Sequence, residues 1–121
     1  MKKFMKMLTN ARTLTALLIL FLSAMPAPVS AQTYNWRWVN NTRSDIVEIY
    51  MVKTGSSNWG GDWLRDGRLG SGESFTLRAA VGVYDIKLVL ENDAVCVWRR
   101  IAHTQQGTWT ITANSLQVCR K

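Results

Sequence analysis

A chain of 121 residues with 15 Lys plus Arg against 8 Asp plus Glu carries a formal charge of +7. Lys2, Lys3, Lys6 and Arg12 supply four of those cations, and the rest are scattered without a nucleic-acid-reading motif, so nucleic acid is not an expected partner. One histidine and two cysteines exclude a histidine-rich metal site.

Those four basic residues open a leader. Residues 14–25 are uninterrupted and mostly apolar, and Val29, Ser30 and Ala31 place small residues before Gln32. The pattern is that of a secretory signal peptide over residues 1–31. Its apolar segment falls short of the ~20 residues that span a bilayer, and no later segment approaches that length, so no stable membrane insertion is expected after cleavage. Residues 32–121 then form a single β domain, periplasmic or secreted, with 11 Lys plus Arg against 8 Asp plus Glu and a net charge of +3. A weakly positive exported domain leans towards an envelope protein or an anionic glycan.

In chain order, Tyr34, Trp36 and Trp38 alternate with Asn35, Arg37 and Val39, the period of a half-buried strand. Residues 40–45 are polar and loop-forming. Residues 46–52 form a second strand, whose face carrying Val47, Ile49 and Met51 is expected to point inward because Glu48 marks the other side. Residues 53–72 hold six glycines and two tryptophans without a sustained period. This loop is expected to fold back on the body, with one helical turn over residues 62–66 capped by Asp62. Phe75 and Leu77 share a face of a third strand, and residues 79–82 turn the chain.

Residues 83–100 are the strongest local signal. Tyr84, Ile86, Leu88 and Leu90 make one face wholly apolar, residues 91–94 are turn formers, and residues 95–98 resume a β-branched and aromatic run, which makes a hairpin. His103 is expected in a solvated turn, residues 108–113 form another alternating strand, and residues 116–119 a last short one. The expected fold is all-β, a small antiparallel β-sandwich or partly open barrel of six to seven short strands. In an oxidising compartment, the chain's only two cysteines, Cys96 and Cys119, are expected to form one structural disulfide.

Catalysis finds little material. No serine sits in a nucleophile elbow, no CxxC spacing occurs, and a carboxylate pair such as Asp62 and Asp66 would need a cleft to act on a glycan. A calcium site at Asp62, Asp66 and Glu73 lacks EF-hand spacing and meets the positive charge of Arg65 and Arg68, which are expected to pair with the aspartates. Neither a metal nor a cofactor is expected. Asp85 is expected to be structural, pairing with Lys87 or bonding a neighbouring loop. Trp36, Trp38, Trp98 and Trp109 lie in strands and belong to the core, whereas Trp59 and Trp63 lie in the polar loop. With Asn58, Asp62, Arg65 and Arg68, these two offer flat aromatic faces beside hydrogen-bonding groups, the chemistry of a sugar platform or a protein hot spot. The expected function is a non-enzymatic binding or interaction module. A small glycan-acting hydrolase and a purely structural envelope protein are the alternatives.

Asn40-Asn41-Thr42, Ile46 with Ile49-Tyr50, the loop Asn58-Trp59-Gly60 through Asp62 and Leu64, the turn Gly70-Ser71-Gly72-Glu73-Ser74, and Tyr84-Asp85-Ile86-Lys87 occur in this order. In this the chain resembles a family of small exported β-rich proteobacterial proteins with a YDI or YDL strand motif, over residues 38–100. The resemblance implies fold and compartment and carries no activity. It also implies a cysteine just before the tyrosine-aspartate pair; Gly82 and Val83 stand there instead, and Cys96 is expected to take over the stapling.

Overall fold

Alternating apolar and polar residues resolve into six strands in a computed structural model that describes residues 31–121. They are β1 (Thr33–Asn41), β2 (Ile46–Lys53), β3 (Ser74–Ala80), β4 (Gly82–Leu90), β5 (Val95–His103) and β6 (Gly107–Thr112). The signal peptide expected over residues 1–31 lies, but for its last residue, outside the described residues. Two three-stranded sheets form, ordered β3-β1-β6 and β2-β4-β5. They pack as a sandwich, not a closed barrel. The second sheet is antiparallel throughout, whereas β1 runs antiparallel to β3 but parallel to β6. A parallel pair needs a long crossover, and here the whole second sheet intervenes in sequence between the two strands.

The core joins both sheets. Trp36, Trp38, Leu77 and Ile111 from the first meet Ile49, Met51, Tyr84, Ile86, Leu88 and Cys96 from the second. Each large aliphatic side chain buried in this way contributes about 1.5–3 kcal/mol of transfer free energy. Trp109 lies edge-on to Trp38 at 5.2 Å and to Trp98 at 5.1 Å, bridging the sheets. The fully buried Trp38 indole N–H has no hydrogen-bond partner, and its neighbours in this cluster are the edge-on rings of Trp36 and Trp109.

The hairpin is as its pattern indicates. Tyr84, Ile86, Leu88 and Leu90 are all buried, and Asp93 takes a positive φ of 68° to close the turn between β4 and β5. In β2 the inward set is Ile46, Ile49 and Met51, with Val47 only half-buried. A register shift between Ile46 and Glu48 moves Ile46 onto the face that simple alternation assigns to Val47.

Three other expectations are corrected. His103 is buried at the end of β5, stacked on Trp36 at 4.8 Å, with Nε2 3.1 Å from the Tyr34 carbonyl oxygen and 3.2 Å from that of Ala79. Pairing of His103 with Gly82 extends β5 to that point, so the imidazole enters the core. Residues 116–119 form no strand. Asn114–Val118 is a 3₁₀ turn, after which only Arg120 pairs, with Val95. Residues 62–66 make a tight turn without a helix, because Arg65 and Asp66 take positive φ values of 48° and 68°, outside the right-handed helical region. The Cys96–Cys119 disulfide is formed as expected. Among the described residues, no helix is long and apolar enough to cross a membrane.

Candidate functional site

Four polar side chains, Asn40, Asp62, Glu73 and Asp85, hold backbone in place. Asn40 is fully buried; its Nδ2 donates to the carbonyls of Ser44 (2.8 Å) and Leu69 (2.9 Å), and its Oδ1 accepts from the Thr42 N–H and hydroxyl. Glu73 Oε1 accepts the Gly70 N–H at 2.7 Å. A Cβ on Gly70 would displace that same Glu73 oxygen and its bond, and Gly72 turns at φ 84°, a conformation that favours glycine. Asp62 Oδ1 accepts the N–H groups of Ile49 (2.8 Å) and Leu64 (2.9 Å). Asp85 accepts from the Arg100 N–H (3.0 Å), Arg99 Nη1 (3.0 Å) and the Thr54 hydroxyl (2.8 Å).

Asp85 sits where the β4–β5 register shifts between Tyr84 and Ile86, opposite Arg99 and Arg100. Arg100 holds a φ of 58° there, so the carboxylate satisfies the N–H that the bulge frees. Its ion-pair partner is Arg99, at 3.0 Å, in place of the expected Lys87. The Arg100 N–H, with further help from Thr54 and Arg99, holds the Asp85 carboxyl below its ordinary pKa despite the opposing effect of burial.

The loop over residues 53–72 is thereby laid along the open edge of β2. Ile46 and Leu69 exchange both backbone hydrogen bonds, and the Trp63 N–H donates to the Ile49 carbonyl at 2.8 Å. Between this loop and the edges of β2 and β3 runs a groove of about 670 Å³. Trp59, Asp62, Trp63 and Arg65 line it from the loop, Met51 from β2, and Phe75, Thr76, Leu77 and Arg78 from β3. Trp63 is 41% exposed and Trp59 half-buried.

Trp59 is also tied to the outer face of the second sheet. Lys87 Nζ lies 5.1 Å from its ring centroid and 4.5 Å from that of Tyr50, and the Arg99 guanidinium lies 5.9 Å from Trp59. Such contacts hold the indole against the sheet. The Tyr50 hydroxyl donates to Glu48 at 2.8 Å; that bond first, then burial and the charges of Glu48 and Asp62, raises the phenol pKa.

Of the six residues expected to bind, Trp59, Asp62, Trp63 and Arg65 therefore share the groove. Asn58 is exposed beside it, its Oδ1 accepting the Gly60 N–H at 2.9 Å. Arg68 lies outside the groove lining. It pairs with Asp45 at 3.1 Å and Glu91 at 3.6 Å, and not with the loop aspartates expected to receive it. Asp62, Asp66 and Glu73 are not gathered, and among the described residues no three His, Cys, Asp or Glu side chains form a metal-sized group.

The β3 wall was missed by sequence reasoning. Thr76 and Arg78 read as the polar side of a strand, and nothing local shows that a loop from elsewhere will stand opposite them. No family model, no curated protein and no solved structure matches this chain.

Proposed function

We propose that this protein is a non-enzymatic binding module of the periplasm or the secreted space, which receives a protein or an anionic glycan of the cell envelope in the groove between residues 59–65 and strands β2 and β3. The observation that carries this reading is the pairing of an exposed Trp63 and a half-buried Trp59 with Arg65 and Arg78 around one concavity. Indole faces supply contact area at low entropic cost, and guanidinium groups supply directed donors to carboxylate or sulfate oxygens. Asp62, the acid that a hydrolase would need there, accepts two backbone N–H groups through Oδ1, which favours a structural duty over proton transfer. The disulfide accords with an oxidising compartment.

A glycan array and a pull-down from envelope extract test this with the native protein and a Trp59→Ala/Trp63→Ala variant. Removing both indoles is expected to weaken binding at least tenfold while the far-ultraviolet spectrum stays native. Equal binding by the two proteins would reject the groove as the recognition site.

A further inference from the structure

The sandwich has four edge strands, and two are covered by backbone from elsewhere in the chain. The loop over residues 53–72 bonds to Ile46 and Ile49 of β2, and Arg120 exchanges two backbone bonds with Val95 of β5. Strand β6 has its last residue engaged, the Thr112 N–H donating to the Ser115 hydroxyl, and contributes nothing to the groove. Strand β3 is the open edge that lines the groove. Asn40 of β1 directs its N–H to the Glu73 carbonyl, and its own carbonyl accepts from the Gly72 N–H. In the register Trp38 with Phe75 and Trp36 with Leu77, the alternation of an antiparallel ladder therefore turns Phe75 and Leu77 towards β1. The N–H and C=O groups of Thr76 and Arg78 point the other way, along the groove. The Tyr84 hydroxyl closes the Ala80 carbonyl at this edge, but among the described residues no backbone group bonds Thr76 or Arg78 from outside the sheet.

Resting on the groove proposed above as the binding site, we propose that its ligand is an extended acidic peptide segment of a partner protein, added as a further strand to the open edge of β3. Main-chain hydrogen bonds to Thr76 and Arg78 would hold the segment, and alternate side chains on one side of it would enter the groove against Met51, Trp59 and Trp63. The charge complements an acidic sequence. Arg65 and Arg78 line the groove and neither has an ion-pair partner among the described residues, while Asp62, the acid in the lining, is engaged by two N–H groups. An open strand edge is a pairing hazard unless it is covered or used. Coverage of β2 and β5 by this chain's own loop and tail leaves β3 as the edge that faces an aromatic groove.

The test titrates the disulfide-bonded protein with nine-residue blocked peptides in which Glu alternates with Val, Leu or Phe, and follows amide exchange by NMR. Controls are the Lys counterparts and the same Glu peptides N-methylated at every second residue. At least one Glu peptide is expected to protect the Thr76 and Arg78 amides, while the N-methylated and Lys peptides do not. Arg65→Gln/Arg78→Gln should weaken binding roughly tenfold, with loss on adding salt. Thr76→Pro removes an N–H that the ladder to β1 does not use, so it should keep the native spectrum and lose the peptide; if that variant misfolds, the N-methylated peptides make the same distinction.

If no Glu peptide protects the β3 edge, strand addition is overturned. Should an anionic oligosaccharide then bind and lose affinity in the Trp59→Ala/Trp63→Ala variant, the groove survives as a glycan site. Protection of Thr76 and Arg78 that grows with protein concentration and without peptide would overturn the proposal in favour of pairing between two copies. Peptide binding unaffected by removal of both tryptophans would overturn the groove itself.

Discussion

Asp85 accepts three hydrogen bonds from a position only 3% exposed, and its acidity follows from them. Since its folded pKa lies below the ordinary carboxylate value, the unfolded chain takes up the proton first as pH falls. The group's stabilisation is therefore full above the ordinary value of 3.8 and is lost as pH drops through the folded value. Urea denaturation between pH 6 and pH 2 should show a steeper loss of stability for the native protein than for Asp85→Asn, which is also expected to be the less stable at pH 6. Equal slopes would mean that the carboxylate is not what the bulge uses. Sequence reasoning recognised Asp85 as structural and offered a neighbouring loop or Lys87 as its partner; Thr54 supplies the loop bond, and Arg99 stands where Lys87 was expected. The bulge that brings Arg99 and Arg100 opposite it depends on register between two strands, which no local pattern shows. The same holds for His103, whose polar flank of Thr104, Gln105 and Gln106 resembles a turn until Gly82 pairs with it.

At the scale of elements, the last residues of the chain act through the disulfide. Cys96 is buried in β5, and its bond to Cys119 delivers Arg120 to the outer edge of that strand, where it exchanges hydrogen bonds of 2.7 and 2.8 Å with Val95. The staple thus closes a strand edge as well as a covalent loop. Cys96→Ala/Cys119→Ala is expected to lose about 3 kcal/mol of stability, measured by denaturant unfolding. Amide exchange should accelerate at Val95 and Arg120 and leave Ile86 and Leu88 protected; continued protection of Val95 would show that the tail docks without the bond. The pairing of the cysteines followed from compartment and count. Replacement of the expected last strand by a 3₁₀ turn did not, since residues 116–119 are too few to choose between a strand and a turn without a neighbour.

For the whole molecule, the proposed export predicts that residues 1–31 are removed and that the mature chain begins at Gln32 when all 121 residues are expressed. N-terminal sequencing of the exported material checks this, and membrane-bound protein that retains residues 1–31 would contradict it. What the sequence by itself determined was the strand content, the hairpin of β4 and β5, the six core and loop tryptophans in their two groups, and the cysteine pair. All of these rest on short-range periodicity or on composition, because a strand's two faces are written into alternate residues. Only the tertiary structure decided the parallel meeting of β1 and β6, the burial of His103, the departure of Arg68 towards Asp45 and Glu91, and the wall that Thr76 and Arg78 add to the groove. Each of these joins residues far apart in the chain through the packing of one sheet on another and the seating of a glycine-rich loop, and hydrophobic burial, being non-directional, leaves no trace of such partners in either segment alone.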